Sequence, residues 1–275
     1  MSSKIKKKNN IDVTVDYKNV TEKSPKILFL DIESSPNLAT VWSIWNQNIA
    51  LSQLLETSYT MCWSAKWMGS NHVMFDSVQK SGKDGVIKSI YALINEADII
   101  IHYNGKRFDI PVLNREFLLA KLLPPSPFKQ IDLYQTVKKK FRFVSNKLAH
   151  ITEQLGFAGK IHTTHKLWLD CMNGDEKAWK DMEKYNKRDV TELEKLYKRI
   201  LPWIENHPNM GLYMHKDRPV CTNCGSHKVQ ARGYQLTKTM KYQRFQCQDC
   251  GAWLRGRKMI PRPDNKENIL TQVIT

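Results

Sequence analysis

Apolar and polar positions change period several times along the 275 residues. Residues 1–24 are polar, Lys-rich and without sustained period, and read as a mobile basic arm. Lys26–Glu33, KILFLDIE, is a short continuous apolar run closed by a Ser-Ser-Pro turn signal, the pattern of a buried strand. Two further strand-like runs follow, Leu38–Trp45 (LATVWSIW) and Ser58–Met68 (SYTMCWSAKWM). From Gly85 to Ala97 the spacing turns helical through Val86, Ile87, Ile90, Leu93 and Ile94. Asp98–Tyr103 (DIIIHY) is another buried strand, and Ile110–Leu123 is a helix that the following PPSP stops. After a short extended piece near Ile131 the chain reads as helix to Leu201. Three antiparallel strands and then strand–helix alternation predict a mixed sheet with helices on its faces. A break at Glu205–Gly211 (ENHPNMG) sets off a module that carries four of the cysteines.

Composition narrows the class. An apolar fraction of 41% and eight Trp suffice for a packed core and exclude a globally disordered chain. The length holds one good-sized domain and a small one, expected over 25–208 and 215–260, with a flexible tail over 261–275. Formal net charge is +16, and so basic a chain ordinarily meets a polyanion, either nucleic acid or an anionic membrane surface. No apolar run approaches the length of a membrane span, and MSSKIKKKNN lacks the apolar core of a signal peptide. An intracellular, cytoplasmic protein without a membrane partner is expected. Its six Cys are then thiols or metal ligands rather than disulfides.

Within the first strand two acids, Asp31 and Glu33, stand one residue apart. Alternate strand residues share a face about 6–7 Å apart. Both carboxylates therefore leave with Ile27 and Phe29, while Leu28, Leu30 and Ile32 fill the other side. Like charges so close repel, burial raises the cost, and a divalent cation is the natural compensation. Holding one takes more acids. Asp109, in IHYNGKRFDIP, begins a helix behind an Asn104-Gly105 turn, and its plainer role is an N-cap. In YNKRDVTELEKLY, Tyr185 and Asp189 are four apart on one helix face, which alone describes any solvated helix.

Taken in order, LDIE, NGKRFD and YNKRD resemble the three motifs of the DEDD (DnaQ-like) 3′–5′ exonucleases. That family has the ribonuclease H-like fold and includes the proofreading domains of DNA polymerases. The resemblance spans roughly Lys26–Trp203 and is nearest to stand-alone, often phage-encoded members, through IIIHYNGKRFDIPVLNREF and YNKRDVTELEKLY. Members carry either a Tyr four residues before the last Asp or a His five before it. Here Tyr185 stands at the first position and Lys184 at the second, so the chain is similar to the tyrosine subtype. The resemblance implies an α/β, ribonuclease H-like mixed sheet flanked by helices, acting in the cytoplasm of a bacterial host if phage-encoded. It implies an active site of Asp31, Glu33, Asp109, Tyr185 and Asp189, a nucleic-acid contact at Asn104, and release of nucleoside 5′-monophosphates from a 3′ end.

The chemistry follows from the ligand types. Four carboxylates are hard oxygen donors suited to two Mg²⁺ or Mn²⁺ ions. Such ions would sit about 3.5–4 Å apart and clamp the attacking and leaving oxygens of an in-line displacement. Tyr185, a phenol with an ordinary pKa of about 10, is a poor base and is assigned to orienting the attacking water. Asp132, in KQIDLYQT, reads as a helix N-cap rather than a fifth site acid. His162 and His165 fit a basic surface loop better than a metal site, with Lys160 and Lys166 as candidate backbone contacts. The Trp and Met residues of 61–68 read as core, and Cys62 and Cys171, lacking partners at ligand spacing, as ordinary thiols.

CTNCGS and CQDCGA place Cys221, Cys224, Cys247 and Cys250 in two C-x₂-C-G knuckles, a pattern that looks like a zinc ribbon. Gly225 and Gly251 suit the tight turn after each second ligand. Four thiolates match one tetrahedral, structural Zn²⁺ with no open position, on which so small a module's folding should depend. The 22 residues between knuckles predict a long hairpin. Residues 211–260 carry ten Lys/Arg against two acids, interleaved with Tyr234, Tyr242, Phe245 and Trp253. Cations for phosphate and rings for bases make a nucleic-acid surface, with Arg232, Lys238, Lys241, Arg244 and Arg255 as its contacts. The expected function is a monomeric 3′–5′ exonuclease, DNA favoured and RNA possible, whose ribbon helps grip the substrate. Alternatives are a structure-specific endonuclease on the same centre, a non-catalytic nucleic-acid-binding protein, and protein docking by the ribbon.

Overall fold

The computed structural model describes residues 24–157, 163–214, 218–261 and 270. The arm over 1–23, most of the tail, Lys160 and His162 lie outside them. Strand β1 (Ile27–Ser34) is central in a five-stranded sheet ordered β5-β4-β1-β6-β7. Its neighbours are β4 (Thr60–Trp67), β5 (Met74–Ser77), β6 (Ile99–His102) and β7 (Lys129–Asp132). β4 and β5 pair antiparallel, whereas β6 and β7 run parallel to β1. Parallel pairing needs long crossovers, and helices α1 (Val78–Glu96) and α2 (Asp109–Leu119) provide them.

The alternation of β1 divides the core as expected. Leu28, Leu30 and Ile32 pack with Ile100 beneath α1 and α2. Ile27 and Phe29 join a larger cluster on the opposite face, built with α3 (Leu133–Lys140), α4 (Leu148–Gln154) and α6 (Glu176–Ile200). There the Tyr197 ring meets Phe29 edge-on, with centroids 5.6 Å apart. α5 (His165–Met172) packs beside α6 over Met61, Cys62, Cys171, Trp179 and Met182. In the otherwise apolar run 61–68, Lys66 is buried in an ion pair with Glu194 of α6 and Met68 is exposed.

Several expectations need correcting. Of the strand expected over Leu38–Trp45, only Leu38–Ala39 forms β2, paired with β3 (Leu54–Glu56). Trp42 is 100% and Trp45 76% exposed, and β4 and β6 occupy both sides of β1, so this segment does not pair with the strand it follows. β5 was not anticipated: four residues show too little period. The helix expected from 132 to 201 is divided into α3, α4, α5 and α6, with breaks among the described residues at 141–147, 155–157, 163–164 and 173–175. The cysteine module gains a third strand, forming an antiparallel sheet of β8 (Val229–Leu236), β9 (Lys241–Cys247) and β10 (Trp253–Met259) in the order β10-β9-β8. The break at Glu205–Gly211 is packed against the main domain. Met210 is buried in the main core with its N–H donated to Thr222 O at 2.8 Å, and Asn223 Nδ2 donates to Leu201 O at 2.9 Å. No helix of the described residues is long and apolar enough to cross a membrane.

Candidate active site

Burial of Val190, Leu193 and Tyr197 against the β1 face lays α6 across the end of that strand. Asp189 is thereby brought to Asp31 and Glu33, and oxygens of all three carboxylates lie within 4.8 Å of one another. Asp109 arrives from the other side of the sheet. It is 3% exposed, and its Oδ1 accepts the Ile32 N–H at 3.2 Å, tying the start of α2 to β1. Its oxygens are not among the closely converging three, but its charge bears on both Asp31 and Glu33. Phe108, not Asp109, occupies the N-cap position, so Asp109 is free of the capping role while sitting at the positive end of the helix.

The turn that delivers Asp109 is held by buried polar groups. A Cβ on Gly105 would lie 2.4 Å from the His102 ring, so the chain closes over the imidazole only with glycine there. Gly105 N–H donates to His102 Nδ1 at 3.0 Å, which leaves the proton on Nε2, facing Gln130 Oε1 at 3.1 Å. Burial lowers the His102 pKa, in keeping with a neutral ring. Asn104 adopts φ 65° and donates its N–H to Asp132 Oδ1 at 2.8 Å. The same oxygen accepts Tyr134 N–H at 3.1 Å, so Asp132 caps α3 as expected and also pins this turn.

Electrostatics show what the acids lack. Burial pushes Glu33 up to about 8, with Asp189 and Asp109 adding to the rise. Burial likewise raises Asp109 and Asp189 to about 7. Asp31 is held well above the carboxylate range, first by burial and then by Asp109, Asp189 and Glu33. Three neutral donors oppose this. Asn186 Nδ2 donates to Asp31 Oδ2 at 2.7 Å, and the Trp168 and Tyr185 side chains, beside Glu33 and Asp189, each favour the charged carboxylate. Burial and the surrounding acids raise Tyr185 above its ordinary value, which removes it further from a base. Acids that cling to protons near neutrality accept a divalent cation in their place, and this hard-oxygen set fits Mg²⁺ or Mn²⁺.

Sequence reading missed two of these donors. Asn186 is 0% exposed with Oδ1 unpartnered, and its offset of three from Asp189 was a usable signal of a shared helix face. Trp168, on α5, also meets the Tyr185 ring edge-on at 5.9 Å, and nothing local in its sequence pointed to the site. His165 is exposed on the first turn of α5, and Lys166 is engaged by Asp170 at 2.6 Å.

The second candidate centre is sulfur-based. Sγ atoms of Cys221, Cys224, Cys247 and Cys250 lie within 4.8 Å of one another. Cys221 and Cys250 are 3.6 Å apart, as are Cys224 and Cys247. Tetrahedral zinc with bonds of about 2.3 Å gives sulfur separations of about 3.75 Å, so the cage fits structural Zn²⁺ and is too wide for disulfides. Gly225 (φ 75°) and Gly251 (φ 81°) turn each knuckle as expected. Arg232 and Lys238 are exposed, and three cations lie over rings: Lys241 on Tyr234, Arg244 on Trp253 and Arg255 on Tyr242.

A family model described as the RNase_H superfamily matches residues 28–201. No curated protein is matched by the sequence. Among solved structures, the chain is similar to the family B DNA polymerase from the hyperthermophilic archaeon Pyrobaculum calidifontis, at 16% identity and a TM-score of 0.49. The match covers 65% of this chain and 25% of the polymerase, so the chain spans about a quarter of that protein's length.

Proposed function

The chain belongs to the RNase H superfamily, and from that premise we propose that it is a metal-dependent nuclease removing nucleotides from the 3′ end of nucleic acid, DNA in preference to RNA. The observation that carries this reading is the convergence of Asp31, Glu33 and Asp189 with Asp109 beside them, all four held above the ordinary carboxylate range. Two Mg²⁺ or Mn²⁺ ions, when bound, would supply the charge that clamps the attacking and leaving oxygens of an in-line displacement. Asp31, Glu33, Asp109 and Asp189 would hold them. Tyr185, which lies beside Asp189, would accept a hydrogen bond from the attacking water and aim it, as in the tyrosine subtype of the DEDD exonucleases. Asn186 fixes the orientation of the Asp31 carboxylate, and Trp168 lies beside Glu33.

In this reading residues 25–208 form the nuclease and 215–260 a ribbon closed on Zn²⁺ by its four Cys. Arg232, Lys238, Lys241, Arg244 and Arg255 bind substrate phosphates, joined from the main domain by Asn104, Lys160 and Lys166, and the protein works as a monomer. Incubation with 5′-labelled DNA or RNA in Mn²⁺ tests it: a ladder shortening from the 3′ end is expected, whereas internal cuts indicate an endonuclease. Asp31→Asn keeps volume and removes one ligand charge, and should slow hydrolysis by at least about 10³-fold, since a bound metal contributes several kcal/mol to the transition state. Wild-type turnover by the purified variant would sink the assignment.

A further inference from the structure

One face of the ribbon sheet carries Tyr242 and Arg244 on β9 and Trp253 and Arg255 on β10. The register sets Arg244 opposite Arg255, and Trp253 opposite Gln246. Like cations facing each other across an antiparallel pair repel, and here each turns aside onto the ring of the other strand. The Arg244 guanidinium lies 4.8 Å from the Trp253 ring centroid, and that of Arg255 lies 4.3 Å from Tyr242. Rings and cations therefore alternate along both diagonals of the face. Asp249, the acid of the second knuckle, is taken by Lys228 and does not neutralise them. Trp253 remains 53% exposed despite its guanidinium.

We propose that this face stacks unpaired nucleobases, so that the ribbon grips single-stranded rather than duplex substrate. The inference rests on the reading of the chain as a nucleic-acid hydrolase. A cationic surface alone binds the phosphates of duplex and single strand alike. Aromatic planes add affinity only for bases that are free to leave the stack, because paired bases present edges and not faces. Nucleotides alternate phosphate and base, and the face answers with cation and ring in the same alternation.

The test uses the full chain without added divalent cation and three labelled probes of equal length: a thymidine oligonucleotide, its abasic counterpart and a duplex. Wild type should bind the base-bearing strand on the order of tenfold more tightly than the abasic one, the scale of one stacked base. Trp253→Leu should erase that difference and leave abasic and duplex binding unchanged, while Trp253→Phe restores it. Tyr242→Leu should act as Trp253→Leu does, and zinc content reports whether each variant keeps its ribbon. Equal binding of base-bearing and abasic strands, or full single-strand affinity in both leucine variants, overturns the inference. Hydrolysis of end-labelled DNA separates the two readings. A chain that degrades DNA but ignores bases refutes only the stacking face, and one that stacks bases but never cuts refutes only the nuclease.

Discussion

Asn186→Leu should weaken metal binding while leaving the fold as stable as before or more so. Asn186 is fully buried with Nδ2 2.7 Å from Asp31 Oδ2, and its Oδ1 has no partner. For the fold, leucine removes an orphaned acceptor whose burial costs about 1–3 kcal/mol, fills nearly the same space and favours helix more than asparagine does. For the site the balance reverses. Asp31 must be an anion to bind a cation, and a hydrogen bond to a charged group contributes about 1.5–3 kcal/mol. Its loss predicts divalent-cation affinity lower by about 10- to 150-fold, at 1.4 kcal/mol per factor of ten. Calorimetric titration with Mn²⁺ at pH 7.5, run beside thermal melts of the same samples, reads both quantities. Affinity within twofold of wild type, with stability unchanged, would show that the asparagine does not hold Asp31 for metal. A fall of several kcal/mol in stability would make it a packing residue instead.

Tyr185→Phe keeps the ring against Trp168 and removes only the hydroxyl, so Mn²⁺ affinity should persist while turnover drops by about 10–10³-fold; unchanged turnover would make the tyrosine packing alone. The site carboxylates have folded pKa values above their unfolded ones, so their stabilisation is complete below about pH 4 and is lost as pH rises through about 7–8. Melting temperature without added Mn²⁺ should therefore fall from pH 6 to 9, and Mn²⁺, replacing the protons, should flatten the slope; a flat profile without metal would contradict the shifts. Cys247→Ser should release zinc and, through Met210 and Asn223, lower the melting temperature of the main domain as well, whereas an unchanged main transition would show that the two modules fold independently.

What the sequence revealed depended on how local the signal was. The two faces of β1 follow from alternation inside eight residues, and Asp31, Glu33, Tyr185 and Asp189 follow from offsets of two and four along single elements. The role of Asp132 as a cap was legible for the same reason. Its second role, pinning the Asn104 turn, joins residues 28 apart and was not. Asn186 reaches Asp31 across 155 residues, and only its offset from Asp189 hinted at the site, whereas Trp168, beside Glu33 but on a different helix, left no trace in its own neighbourhood. Val41–Trp45 failed in the opposite sense. Its strand-like pattern is real, but which segments pair is decided by the assembled sheet, where β4 and β6 rather than this segment flank β1.

Asp31, Asp109 and Asp189 are separated by 78 and then 80 residues of chain, and the last of them sits on the helix that also covers Ile27 and Phe29. During synthesis, which proceeds from the N-terminus, the first ligands emerge long before the one that completes them. The nascent chain therefore cannot assemble the acids until α6 has been made and has cleared the ribosome. The segment that supplies Asp189 is the same segment that closes the larger core, so the complete acid cluster and a finished domain arrive in one event. Truncated products ending before α6 carry the early acids with no means of gathering them. The spacing acts as a safety catch, completing the acid cluster only once the ribosome has moved well past the early acids.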